Sequence, residues 1–160
     1  MTALSDMLNH RTIALNVHAH DWRDAVRVAG GLLVAAGKVE PRYVDAMIRM
    51  SEDIGPYIVI APGVALPHAR PEDGVREACM SLVTLSPPVS FGNANNDPVQ
   101  LVVAFGTTDS KAHLGALAEL ARLLGDAATV DGMMRARSAD ELLDLVQGRS
   151  ERSAVREQEG

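Results

Sequence analysis

The chain has 160 residues and a mass of 17.0 kDa, a size that suits one domain, and 47% of it is apolar, enough for a real core. A net charge of −6 and an isoelectric point of about 5.3 argue against a nucleic-acid face, which needs a basic patch. Aromatic residues make up only 3% (Trp22, Tyr43, Tyr57, Phe91 and Phe105), which argues against stacking platforms for bases or sugar rings, and Cys79, the single cysteine, permits neither an intrachain disulfide nor a cysteine zinc cluster.

The N-terminus, Met1-Thr2-Ala3-Leu4-Ser5-Asp6, lacks the basic and long apolar regions of a signal peptide. No apolar run reaches the ~18 residues needed to span a bilayer, so the expectation is a soluble cytoplasmic protein. Residues 3 to 9 are expected to form a short helix, and Thr12 to Leu15 a first strand. Asp21 is a suitable cap for a helix running to about Ala36, with Val26, Ala29, Leu32 and Leu33 on one face and Gly37 as its stop. Pro41 fits a first helical turn, and Tyr43, Ala46, Met47 and Met50 then recur at helical spacing.

Two short strands are expected at Tyr57–Ile60 and Gly63–Leu66, then a turn at Pro71-Glu72-Asp73-Gly74. Ala78 to Leu85 reads as a buried strand. Pro87-Pro88 and the segment Gly92 to Pro98 read as a long irregular connection, and Val99 to Phe105 as a strand ended by Gly106. Capping residues at Thr107-Thr108-Asp109-Ser110 precede an amphipathic helix marked by Leu114, Leu117, Leu120, Ala121 and Leu124. Further helices are expected over Ala127–Arg135 and Ala139–Gln147. The pattern predicts a single α/β domain over residues 1–148, a mixed and mainly parallel sheet flanked by helices on both faces, and a charged, frayed tail over 149–160.

The most informative segment is Ala65-Leu66-Pro67-His68-Ala69. Pro67 cannot donate to a ladder, so His68 stands at a strand end behind a fixed backbone, with small Ala69 leaving room for its ring. An imidazole held this way can accept a phosphoryl group and pass it on, a reaction that asks for positioning and charge stabilisation above all. A structural histidine bonded to a carbonyl fits the same spacing. His113 falls in the first turn of the helix after Phe105-Gly106, where free N–H groups attract anions and where α/β sheets collect their sites. His68 and His113 would then face one phosphate, with Thr107, Thr108 and Ser110 as further donors; a solvent-exposed His113 is equally compatible.

Other candidates carry less. His18 and His20 share one side of an extended segment without an evident third metal ligand. Cys79 fits a small core residue. Arg70 and Arg76 sit beside Glu72, Asp73 and Glu77, so ion pairing explains them as well as phosphate contact does, and Arg49 fits a solvated helix face. No nucleotide-type glycine loop and no nucleophile elbow is present, so ATP is not implied.

The segment Asp53 to Ala69 resembles the active-site signature of the mannitol/fructose-type enzyme IIA domains of the bacterial phosphoenolpyruvate-dependent sugar phosphotransferase system. Asp53 stands at its acidic start, Ile60 and Ala61 at its aliphatic and small positions, and Val64-Ala65-Leu66-Pro67-His68-Ala69 at its close. His113 to Ala121 is similar to the family's second-histidine helix. Gly55 to Gly63 and Ala69-Arg70-Pro71-Glu72 resemble the ascorbate-type branch in particular, whereas many mannitol and fructose relatives carry glycine after the histidine. The resemblance implies the family's mixed α/β fold. It implies that His68 takes a phosphoryl group from the carrier HPr and gives it to a cysteine of enzyme IIB. His113 would be the supporting residue, no cofactor would be needed, and the membrane permease, enzyme IIC, would be a separate chain. Two other readings stay open: a regulatory module of the nitrogen-type branch, controlled by phosphorylation, and a metal-dependent hydrolase built on His18, His20, His68 and His113.

Overall fold

The computed structural model describes residues 4–148. Its elements in chain order are α1 (Leu4–Met7), β1 (Ile13–Val17), α2 (Trp22–Ala35), α3 (Pro41–Ile54), β2 (Val59–Ala61), β3 (Val64–Ala65), β4 (Cys79–Val89), β5 (Val99–Gly106), α4 (Ser110–Leu124) and α5 (Ala127–Met134), followed by a helix over 139–148, here α6. The tail expected over 149–160 lies outside the described residues.

The helices start where the capping chemistry places them. The Asp21 carboxylate accepts the Asp24 N–H at the head of α2, and Asp109 accepts the Ala112 N–H at the head of α4. Pro41 sits in the first turn of α3, and Gly55, at φ 73°, ends that helix. Several strand limits differ from expectation. Thr12 belongs to a 3₁₀ turn (His10–Thr12), because Asn9 and Thr12 exchange side-chain to backbone bonds that compete with ladder pairing. Residues Gly55–Ile58 form another 3₁₀ turn, so β2 starts only at Val59. Pro87 and Pro88 lie inside β4, not in a loop; they occupy the register break between Thr84 and Val89, where no ladder donor is required.

Five strands form one mixed sheet in the order β1-β4-β5-β3-β2. β1 runs parallel to β4 and β3 parallel to β5, while β4 and β5, and β2 and β3, pair antiparallel. Parallel pairing therefore does not predominate. The loop over 90–98 joins β4 to β5 without a crossover helix, and such a connection can only return the chain antiparallel.

Alternation along β4 and β5 divides the core between two faces. Cys79, Val83, Leu85, Val99, Val102 and Ala104 pack with α2 and α3, where Ala25, Val26, Ala29, Leu33 and Met47 are buried. Met80, Leu82, Leu101, Val103 and Phe105 pack on the other face with Leu120, Leu123 and Leu124 of α4 and with Met133, Leu142 and Val146. Ser81 points toward the first face and donates its hydroxyl to the Ala29 carbonyl of α2, which satisfies a buried polar group. Helices thus cover both faces of the sheet. Among the described residues no helix is long and apolar enough to cross a membrane.

Candidate functional site

β3 and β5 run parallel and in register (Ala65 opposite Val102), so their C-terminal ends emerge at one edge of the sheet. The loop leaving β3 carries His68, and the turn leaving β5 leads into α4 with His113 in its first turn. This is the edge at which open α/β sheets hold their ligands. The ladder ends at Ala65, three residues before His68, and Pro67 is buried beneath the loop.

The His68 ring is half-buried, and its Nδ1 lies 2.9 Å from the Leu66 carbonyl. A carbonyl only accepts, so this nitrogen carries the proton of the neutral ring, and Nε2 keeps a free lone pair. The carbonyl-bonded histidine weighed from the sequence is thus present, and the bond leaves the other nitrogen available. The His113 ring centroid is 5.5 Å from that of His68, and Phe105 lies 5.2 Å from each of them as a buried floor. The structure therefore brings together the two histidines picked from the sequence.

His113 is also half-buried, with its Nδ1 3.2 Å from the Thr107 hydroxyl, itself 3.4 Å from the Asp109 carbonyl. Burial first, and then the charge of His68, hold its pKa below the ordinary imidazole value. The resting pocket therefore favours the neutral form of His113. A negatively charged group placed beside His113 would oppose these influences and favour its protonated form.

The remaining sequence candidates are placed differently. Thr107 is buried and turned toward His113, while Thr108 and Ser110 are exposed. The N–H groups of Ala112 and His113 are taken by the Asp109 side chain and carbonyl, so two of the helix-start donors expected to be free are occupied. Arg70 is exposed, with its backbone N–H on the Asp73 carboxylate. Arg76 pairs with Glu40 at 3.9 Å, and Arg49 is exposed on α3. Cys79 is buried, and burial pushes its thiol up to about 12, so it stays protonated in the core. His18 and His20 are exposed with rings 5.8 Å apart, and among the described residues no three His, Cys, Asp or Glu converge as metal ligands.

Sequence reasoning placed Tyr43 and Phe105 only as a helix-face and a strand residue. Phe105 in fact floors the pocket, and the Tyr43 hydroxyl lies 2.7 Å from the Phe105 carbonyl and 3.1 Å from the Ala69 N–H. A signal existed: the polar tip of a tyrosine on a buried helix face must find a partner. Leu114, the residue after His113, is 69% exposed, and Tyr57, the residue before Ile58, whose carbonyl accepts the Leu66 N–H, is 79% exposed, unusual for large side chains in so well buried a chain.

Comparison with known proteins adds to this geometry. Residues 6–148 match the family described as phosphoenolpyruvate-dependent sugar phosphotransferase system, EIIA 2. An ascorbate-specific PTS system EIIA component from Salmonella choleraesuis (strain SC-B67) is 40% identical over 147 residues, covering 91% of this chain and 96% of that protein. The solution structure of the mannitol-specific cryptic phosphotransferase enzyme IIA CmtB from Escherichia coli is similar with a TM-score of 0.80 and 32% identity, covering 91% of this chain and 98% of that one. The IIA chain in a complex of enzyme IIAMTL with phosphorylated enzyme IIBMTL from Escherichia coli is similar with a TM-score of 0.77 and 28% identity, covering 88% and 97%.

Proposed function

Because this chain belongs to the EIIA 2 family of the phosphoenolpyruvate-dependent sugar phosphotransferase system, we propose that His68 is its phosphoryl carrier, loaded by phospho-HPr and unloaded onto a cysteine of enzyme IIB. The observation that carries this reading is the pairing of His68 with His113 over Phe105, with Nδ1 of His68 tied to the Leu66 carbonyl.

The bound Nδ1–H leaves Nε2 as the nucleophile. Its lone pair attacks the phosphorus of the donor phosphohistidine; the new N–P bond forms as the donor's N–P bond breaks, and the donor imidazole leaves. In the second half-reaction a thiolate of enzyme IIB attacks the same phosphorus. The S–P bond forms, the Nε2–P bond breaks, and His68 returns to its neutral form. Nδ1–H stays on the Leu66 carbonyl throughout, so the ring neither flips nor changes tautomer between partners. His113, charged once the dianion is beside it, donates to the phosphoryl oxygens and offsets their charge.

The partners meet this edge of the sheet, where Tyr57 and Leu114 offer apolar contact. The protein would work in the cytoplasm, with the permease, enzyme IIC, as a separate chain. The transported substrate of this reading is ascorbate, supported by the likeness to the ascorbate-specific relative. Incubation with labelled phosphoenolpyruvate, enzyme I and HPr should label the wild type and leave His68→Ala unlabelled. Normal labelling of His68→Ala overturns the assignment. A panel of enzyme IIB proteins tests the substrate: fast discharge to an ascorbate-type IIB is expected, and preference for another type excludes ascorbate.

A further inference from the structure

Tyr43 stands in the first turn of α3, with its ring fully buried between that helix and the sheet. A buried phenol must pair its hydroxyl, and it has one proton to give. The Phe105 carbonyl, at 2.7 Å, is the nearer acceptor and takes that proton; the Ala69 carbonyl, at 3.4 Å, is the farther one. The hydroxyl oxygen in turn accepts the Ala69 N–H at 3.1 Å. One atom therefore ties the residue after His68 to the residue whose ring floors both imidazoles.

The tie is placed where the ladder provides none. Ladder pairing between β3 and β5 ends at Ala65 and Val102, so beyond Ala65 the backbone of the His68 loop is not held to β5 by strand pairing, and the His68 ring meets β5 through the Phe105 ring. The neighbouring residue is shaped to admit the hydroxyl. A Cβ at Gly106 would stand 3.4 Å from it and 2.9 Å from a Val75 methyl, so a side chain there would crowd both. Burial also holds the phenol far above its ordinary pKa, which keeps its proton in place at any working pH.

We infer that Tyr43 is a positioning residue for phosphoryl transfer: its hydroxyl fixes the His68 loop against the end of β5 and so aims Nε2 beside His113. The inference rests on the carrier role proposed above for His68. Positioning acts on the reacting step and leaves the partner surface untouched.

Tyr43→Phe is the test, because it removes the hydroxyl and keeps the ring. The expected result is a roughly tenfold fall in kcat for transfer from phospho-HPr with KM unchanged, and His68 still labelled to completion. The ¹⁵N spectrum of His68 should show a single Nδ1–H tautomer in the wild type and a tautomer average in the variant, as the loosened loop frees the ring from the Leu66 carbonyl. Wild-type kcat in Tyr43→Phe, or an unchanged tautomer, overturns the inference while leaving the carrier role standing. Failure of the carrier role itself would show separately, as labelling of His68→Ala. If Tyr43→Phe does not fold, amide exchange in the wild type decides. The Ala69 N–H should be protected although it lies outside any strand, and exchange at the rate of an unstructured amide contradicts the tie.

Discussion

Replacement of His113 by Gln should leave the fold intact and slow transfer by about 10²-fold, since a neutral amide can donate to the phosphoryl group but cannot take up charge. Stopped-flow transfer from phospho-HPr measures this, and an unchanged rate removes His113 from the site. The depressed pKa of His113 also has a stability consequence. The unfolded chain, with an imidazole at ~6.5, binds the proton more readily than the folded one. Stability is therefore complete above that value and falls as pH drops through it toward the lower, folded pKa. Thermal unfolding at pH 5 and pH 7.5 should show a smaller loss on acidification for His113→Gln than for the wild type. In NMR titration the free protein's His113 should titrate below the ordinary value, and phosphorylation of His68 should move it upward; a downward move would contradict the charge argument. His68 was legible from sequence because Pro67 marks a strand end, and His113 because capping residues mark a helix start. The turn of the Thr107 hydroxyl toward the His113 imidazole was not legible, because it depends on the path from β5 into α4, which no local pattern records. Tyr43 was passed over for the same reason: its partners lie 26 and 62 residues away.

The elements that were read most accurately are the helices, whose caps and apolar periodicity are local properties. Strand limits were less legible, as the prolines of β4 illustrate: composition marks them as loop, yet a register break lets the strand continue through them. The loop over 90–98 also proves more ordered than its glycine and asparagine content suggests. The Asp97 carboxylate accepts the N–H groups of Phe91, Gly92 and Asn93 and the Ser90 hydroxyl. Burial opposes its charge, but these bonds outweigh burial and lower its pKa. Its contribution to stability is thus present above the unfolded carboxylate value and lost as pH falls through the folded one. Asp97→Asn should cost about 1–2 kcal/mol at neutral pH, because an amide cannot accept all four donors. Chemical denaturation at pH 7 and pH 3 should show this difference shrinking in acid. A difference that persists at pH 3 would mean that the charge is not what holds the loop.

At the scale of the molecule, the α/β class and a mixed sheet were legible from alternating elements, but the strand order was not. Placing β3 between β5 and β2 requires pairing across distant segments, and it is this placement that brings the β3 and β5 ends, and hence the two histidines, together. The partner-contacting edge proposed for Tyr57 and Leu114 belongs to the same scale. Tyr57→Asp and Leu114→Asp should raise KM for phospho-HPr severalfold with kcat nearly unchanged, as expected for residues that contact the partner and not the phosphoryl group; a fall in kcat alone would place them elsewhere. The proposed carrier role stands on one atom, and that atom can be observed. In long-range ¹H–¹⁵N correlation spectra of protein loaded from phosphoenolpyruvate through HPr, the phosphoryl group should appear on Nε2 of His68, with Nδ1 still protonated and hydrogen-bonded. A phosphoryl group on Nδ1 of His68, or on His113, or on no histidine at all, would contradict it.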